Sequence, residues 1–111
     1  MIGIAESMKY GLEAGLNMED VLKSIASGAA GSWGLSNLAP RMLKGDDAPG
    51  FYIKHIIKDM KIALEEAELM GIQLPGLALA KSIYDELLQK GFGECGTQAI
   101  IHYYNQELTT V

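Results

Sequence analysis

Ile53-Lys54-His55-Ile56-Ile57-Lys58-Asp59-Met60-Lys61-Ile62-Ala63-Leu64-Glu65-Glu66-Ala67-Glu68-Leu69-Met70-Gly71 is the stretch that decides the fold. Ile53, Ile56, Ile57, Met60, Ala63, Leu64, Ala67 and Met70 recur at steps of three and four, the period of an α-helix with one apolar face. Gly71 follows where a helix commonly closes in the left-handed region, a conformation that costs glycine least. The stretch predicts a long amphipathic helix as the central element.

Working outward, the helical period persists on both sides. A first helix over 1–13 sets Ala5, Met8 and Leu12 on one face and ends at Gly15. Asn17 predicts the N-cap of a second, with Glu19 and Asp20 against its dipole and Val21, Leu22, Ile25 and Ala29 facing inward. From Gly28 to Gly34 the chain is small and irregular; Leu35, Leu38, Met42 and Leu43 then predict short helical pieces around Pro40, and residues 45–50 a loop. Pro75 opens a further helix with Leu77, Ala80, Tyr84, Leu87 and Leu88 on its face and Gly91 beyond it. Gly91 to Gly96 reads as a glycine-containing hinge. A last helix starts near Thr97, carries Ile100, Tyr103, Tyr104 and Leu108, and leaves a fraying tail at 109–111. No stretch alternates apolar and polar residues with β-branched enrichment, so the fold class is all-α, a compact multi-helix bundle occupying 1–111 as one helical domain.

The first helix has no Ser, Thr, Asp or Asn ahead of its apolar pattern, which is already running at Met1 and Ile2. Two readings stand: the C-terminal piece of a longer chain, cut within a helix, or a native start whose first turn frays.

Nine Lys and Arg against fourteen Asp and Glu give a net charge of −5, a field that repels phosphate backbones and anionic lipid, so neither nucleic acid nor membrane is an expected partner. The longest uncharged run, 24–40, is broken by Gly28, Gly31, Gly34 and Pro40 and makes a poor bilayer span. Cys95 is the single cysteine, which excludes an internal disulfide and fits a cytoplasmic protein.

Against that acidic background Lys54, Lys58 and Lys61 share one stripe of the central helix. A solvated face and an anion site relieved by a bound ligand are both open. Lys61 can meet Glu65, and His55 can pair with Asp59, one turn on in each case. Trp33, flanked by small residues that let backbone approach its ring, is either a core wedge or a pocket wall. Gly28, Gly31 and Gly34 fit neither dinucleotide nor phosphate-loop spacing. His55 and His102 sit in no metal-ligand pattern, Cys95 lacks a basic activator nearby in sequence, and Ser32 and Ser36 lie in no nucleophile motif, so no metal and no catalytic residue is expected in this chain.

Gly31-Ser32-Trp33-Gly34-Leu35, Leu38-Ala39-Pro40-Arg41-Met42-Leu43, Pro49-Gly50-Phe51, Lys58-Asp59-Met60, Ile62-Ala63-Leu64, Leu74-Pro75 and Tyr84, in this order, resemble the C-terminal helical domain of the β-hydroxyacid dehydrogenase family, the 6-phosphogluconate and 3-hydroxyisobutyrate dehydrogenase-like proteins. The resemblance implies an NAD- or NADP-dependent oxidoreductase acting on a small β-hydroxy acid or its semialdehyde. In that family a Rossmann domain and a lysine-bearing helix precede this region, so the implied partner is the chain's own N-terminal Rossmann domain, and this chain alone is expected to be inactive. Assembly into a homo-oligomer through helical domains is implied as well. Lys58 matches a family lysine reaching toward the cofactor, Asp59 its acidic neighbour, and Trp33 and Phe51 aromatic positions lining the substrate cleft. Lys54 and Lys61 match nothing. Many relatives carry Asp and Ser where this chain has Gly96 and Gln98, which leaves the substrate subgroup open. The other reading is a stand-alone helical module for oligomerisation or protein binding.

Overall fold

In a computed structural model, residues 1–106 are described. They are helical, with α1 (Ile2–Glu13), α2 (Met18–Ile25), α3 (Trp33–Asn37), α4 (Ala39–Lys44), α5 (Ile53–Met70), α6 (Pro75–Gln89), a 3-10 turn (Thr97–Ile100) and α7 (Ile101–Tyr104). No strand occurs among the described residues, which accords with the all-α reading. None of their helices is long and apolar enough to cross a membrane. They group into two compact units, Met1–Asp47 with 98–106, and Ala48–Thr97.

In the first unit α1 packs on α2, α4 and α7, and α2 on α4. Ala5, Met8, Met18, Leu22, Leu35, Ala39, Met42 and 99–101 form its core. The closest approach is at Gly11, where a β-carbon would run into the thioether of Met18. Asn17 caps α2 as expected, its side chain accepting from Asp20 N at 3.2 Å, and Gly15 takes φ +78° after α1. Leu12 and Ala29 do not face inward: both are exposed, Ala29 because α2 stops at Ile25 and the chain then turns.

The second unit is built on the α5–α6 pair. Gly71 closes α5 at φ +74°, and Pro75 sits in the first turn of α6. Ile53, Met60 and Ala67, seven residues apart, are buried against Ile83, Tyr84, Leu87 and Phe92 of the same unit's core. Ala63 and Met70, also seven apart, lie on the flank of that stripe and are exposed, Met70 at 66%. On α6 Ile83 takes the core position expected of Leu88, which is exposed.

The segment 91–96 is pinned rather than a hinge. Phe92 is buried, Ile53 N donates to Cys95 O at 2.9 Å, Lys54 N to Gly93 O at 3.2 Å, and Tyr52 and Gly96 form an antiparallel bridge. α5 has no side-chain cap, so these loop carbonyls satisfy amides at its start that would otherwise be orphaned. Thr97 begins a 3-10 turn and the α-helix proper starts only at Ile101. Leu108 and the tail at 109–111 lie outside the described residues.

Candidate functional site

Trp33 opens α3, a helix capped by Ser32 Oγ, which accepts from Leu35 N at 3.0 Å. Its ring is 71% exposed, which removes the core-wedge reading. The neighbouring glycines serve the backbone rather than the ring: a β-carbon on Gly31 would stand 2.5 Å from the carbonyl oxygen of Ala26. The turn over 26–31 thus closes on itself and leaves Trp33 free on the surface.

In the other unit, Phe51 precedes α5 with its ring 44% exposed and its carbonyl accepting from Thr97 N at 2.9 Å. Buried Tyr84 donates its hydroxyl to Thr97 O at 2.9 Å, so the backbone that holds Phe51 is itself anchored on α6. Lys58 and Asp59 are exposed on the second turn of α5.

The lysine stripe resolves into unequal members. Lys54 Nζ lies 2.6 Å from Glu94 Oε1 and 5.3 Å from the centroid of the Tyr52 ring. Lys58 and Lys61 have no ion-pair partner among the described residues, so the expected contact of Lys61 with Glu65 does not form. His55 turns to the Tyr52 ring, 5.1 Å between centroids, and makes no hydrogen bond to Asp59 among those residues. An ammonium in water without a carboxylate at hand is the group here best suited to receive an anionic ligand.

Two polar contacts had no signature in the sequence. His102 Nε2 lies 2.9 and 2.8 Å from the two carboxylate oxygens of Asp47, 55 residues away, and Gln98, 1% exposed, donates its amide to Asp46 O at 3.0 Å. Both fasten the 45–50 loop to the C-terminal helical turns. Gln98 therefore faces the fold interior. A groove of about 400 Å³ lies along α1 and α2, lined by Met8, Leu16, Met18, Val21 and Leu22 among others. It is apolar and contains none of Trp33, Phe51, Lys58 and Asp59.

The profile of the family described as "NAD-binding of NADP-dependent 3-hydroxyisobutyrate dehydrogenase" matches residues 1–104. An uncharacterised oxidoreductase of Bacillus subtilis, YkwC, is 66% identical over 100 residues, which are 90% of this chain and 35% of the relative. A probable 3-hydroxyisobutyrate dehydrogenase-like protein of Arabidopsis thaliana is 45% identical over 91% of this chain and 30% of its own length. A cytokine-like nuclear factor N-PAC of Aedes aegypti is 30% identical over 90% of the chain and 18% of its own. The crystal structure of a 3-hydroxyisobutyrate dehydrogenase from Salmonella typhimurium superposes with a TM-score of 0.84 at 22% identity, over 92% of this chain and 36% of that one, a likeness of fold. This chain thus spans about a third of the length of its oxidoreductase relatives. With its profile matched over nearly all described residues, the chain belongs to the NAD-binding family of NADP-dependent 3-hydroxyisobutyrate dehydrogenase.

Proposed function

We propose that this chain is the helical domain that covers cofactor and substrate in an NAD(P)-dependent β-hydroxyacid dehydrogenase. The observation that carries the reading is Lys58, which lies within the family match, exposed and without a carboxylate partner among the described residues. That donor suits the anionic part of a dinucleotide, whereas no glycine cradle for a pyrophosphate accompanies it, so the chain's share is to cover the cofactor. When bound, the nicotinamide supplies the hydride acceptor of the reaction. Lys58 holds negative charge in place, and the exposed rings of Trp33 and Phe51 exclude water from the reacting centre. Asp59 orients that region of α5. The proton-transferring lysine lies in the Rossmann-side portion of the full enzyme, so this chain alone does not turn over. The full enzyme is proposed as a cytoplasmic homo-oligomer acting on a small β-hydroxy acid or semialdehyde.

The test joins this chain to the preceding two-thirds of the Bacillus subtilis relative and follows NADH and NADPH formation with several β-hydroxy acids. Losing a hydrogen bond to a charged group is worth about 1.5–3 kcal/mol, so Lys58→Ala should lower kcat/KM by roughly tenfold or more, with a raised KM for the cofactor. Unchanged parameters would sink the role of Lys58. The second reading is a stand-alone helical module for oligomerisation or protein binding; a relative whose name describes a nuclear factor shares this region. That reading expects the chain to keep a specific protein partner without dinucleotide.

A further inference from the structure

We propose that Glu94 sets how strongly the α5 stripe prefers polyvalent anions: it holds the ammonium of Lys54, leaves Lys58 as the receiving cation, and so lowers affinity for a doubly charged anion more than for a singly charged one. The inference rests on Lys58 as an anion contact, the reading given above.

The Lys54–Glu94 pair, at 2.6 Å, is not a chance meeting of two long side chains. Their backbones are joined by the bonds from Ile53 N to Cys95 O and from Lys54 N to Gly93 O. The turn that carries Glu94 is held by buried Phe92 and by the bond from Cys95 N to Phe92 O at 2.9 Å. Glu94 is thus delivered to the stripe by a fixed loop from 40 residues away. The contact of Lys54 with the Tyr52 ring holds the same ammonium from a second side.

Lys54 and Lys58 are one turn apart, neighbours about 6 Å from each other on a helix. With Glu94 in place, the charge of Lys54 is cancelled at short range and an anion at Lys58 meets a neutral pair beside it. Removing the carboxylate charge restores a unit cation at that spacing. In the permittivity of water this changes affinity about threefold for a singly charged anion and about tenfold for a doubly charged one, with salt reducing both. The gain grows with the charge of the ligand, so Glu94 acts as a selectivity residue between a carboxylate and a pyrophosphate.

The experiment titrates the 111-residue chain with sodium acetate and with sodium pyrophosphate at low ionic strength and about pH 5.5, where acetate carries one charge and pyrophosphate two, following amide and lysine ammonium shifts by NMR. Glu94 is largely exposed, so Glu94→Gln leaves the packing in place. In the parent, shifts centre on Lys58. In Glu94→Gln they extend to Lys54, and pyrophosphate gains about tenfold against about threefold for acetate. Glu94→Gln with Lys54→Gln returns both affinities to the parent values. Equal affinities in the parent and Glu94→Gln, with shifts still at Lys58, overturn the role of Glu94 alone. A gain that survives Lys54→Gln overturns the route through Lys54. No shift at Lys58 in any variant overturns both this inference and the reading of Lys58 on which it rests.

Discussion

Gln98→Ala is expected to destabilise the chain by about 2–4 kcal/mol. The parent side chain is fully enclosed, and its amide donates to the carbonyl of Asp46 at 3.0 Å. Losing that bond accounts for about 1 kcal/mol net, because Asp46 is exposed and water can take over its carbonyl. The rest comes from the space left by a methylene and an amide beside Ala99 and Ile100, both fully buried. Gln98→Met keeps the volume and removes the side chain's hydrogen bonding, so the difference between it and Gln98→Ala isolates the packing contribution. Urea denaturation followed by far-ultraviolet circular dichroism gives both differences, and the melting temperature of Gln98→Ala should fall by about 10 °C or more. A change in Gln98→Ala of under about 0.5 kcal/mol, the range of ordinary surface substitutions, would refute the reasoning, since a side chain that fastens a loop from inside the core cannot be so cheaply removed.

Gly31→Ala should destabilise by about 1–3 kcal/mol, because the new β-carbon meets the Ala26 and Gly28 carbonyl oxygens, at 2.5 and 3.0 Å, and backbone does not swing aside as a side-chain end does; a urea midpoint equal to the parent's would show that the turn over 26–31 opens freely. Burial first, then the hydrogen bond to Glu6 Oε2 and the charge of that carboxylate, raise the Tyr104 phenol to about 12. Its stabilising contribution is therefore complete below the ordinary value near 10 and is lost as pH rises through about 12, and Tyr104→Phe should remove the phenolate absorbance step near pH 12. The hydrogen bond from Lys9, at 2.7 Å, and its charge hold the Glu13 carboxyl below 4.5, so that contribution is present above the unfolded value and is lost as pH falls through the depressed one; carboxyl NMR shifts should move back toward 4.5 in Lys9→Gln, and an unmoved midpoint would remove the pair as the cause.

Features carried by neighbours in sequence were legible before any coordinates. Asn17 caps α2 through Asp20, three residues on, and Gly71 and Pro75 stop α5 and start α6 through their own backbone preferences. Periodicity reached less far than it promised. A 3.6-residue period fixes the angle of a side chain about its helix axis, yet not which angles a neighbouring element will cover. Thus Ile53, Met60 and Ala67 are buried while Ala63 and Met70, equally regular in spacing, are left in water. The same limit governs the candidate site. Lys54, Lys58 and Lys61 are indistinguishable as a stripe, and a carboxylate 40 positions away neutralises one of them. The anchors of Gln98 and His102 reach back 52 and 55 residues, beyond any local pattern. Of the two lysines of the α5 stripe that stay without an ion pair among the described residues, only the family motif Lys58-Asp59-Met60 separates Lys58 from Lys61. Spacing proposed the cations, folding removed one, and titration of an anion onto Lys58→Gln beside Lys61→Gln separates the remaining two.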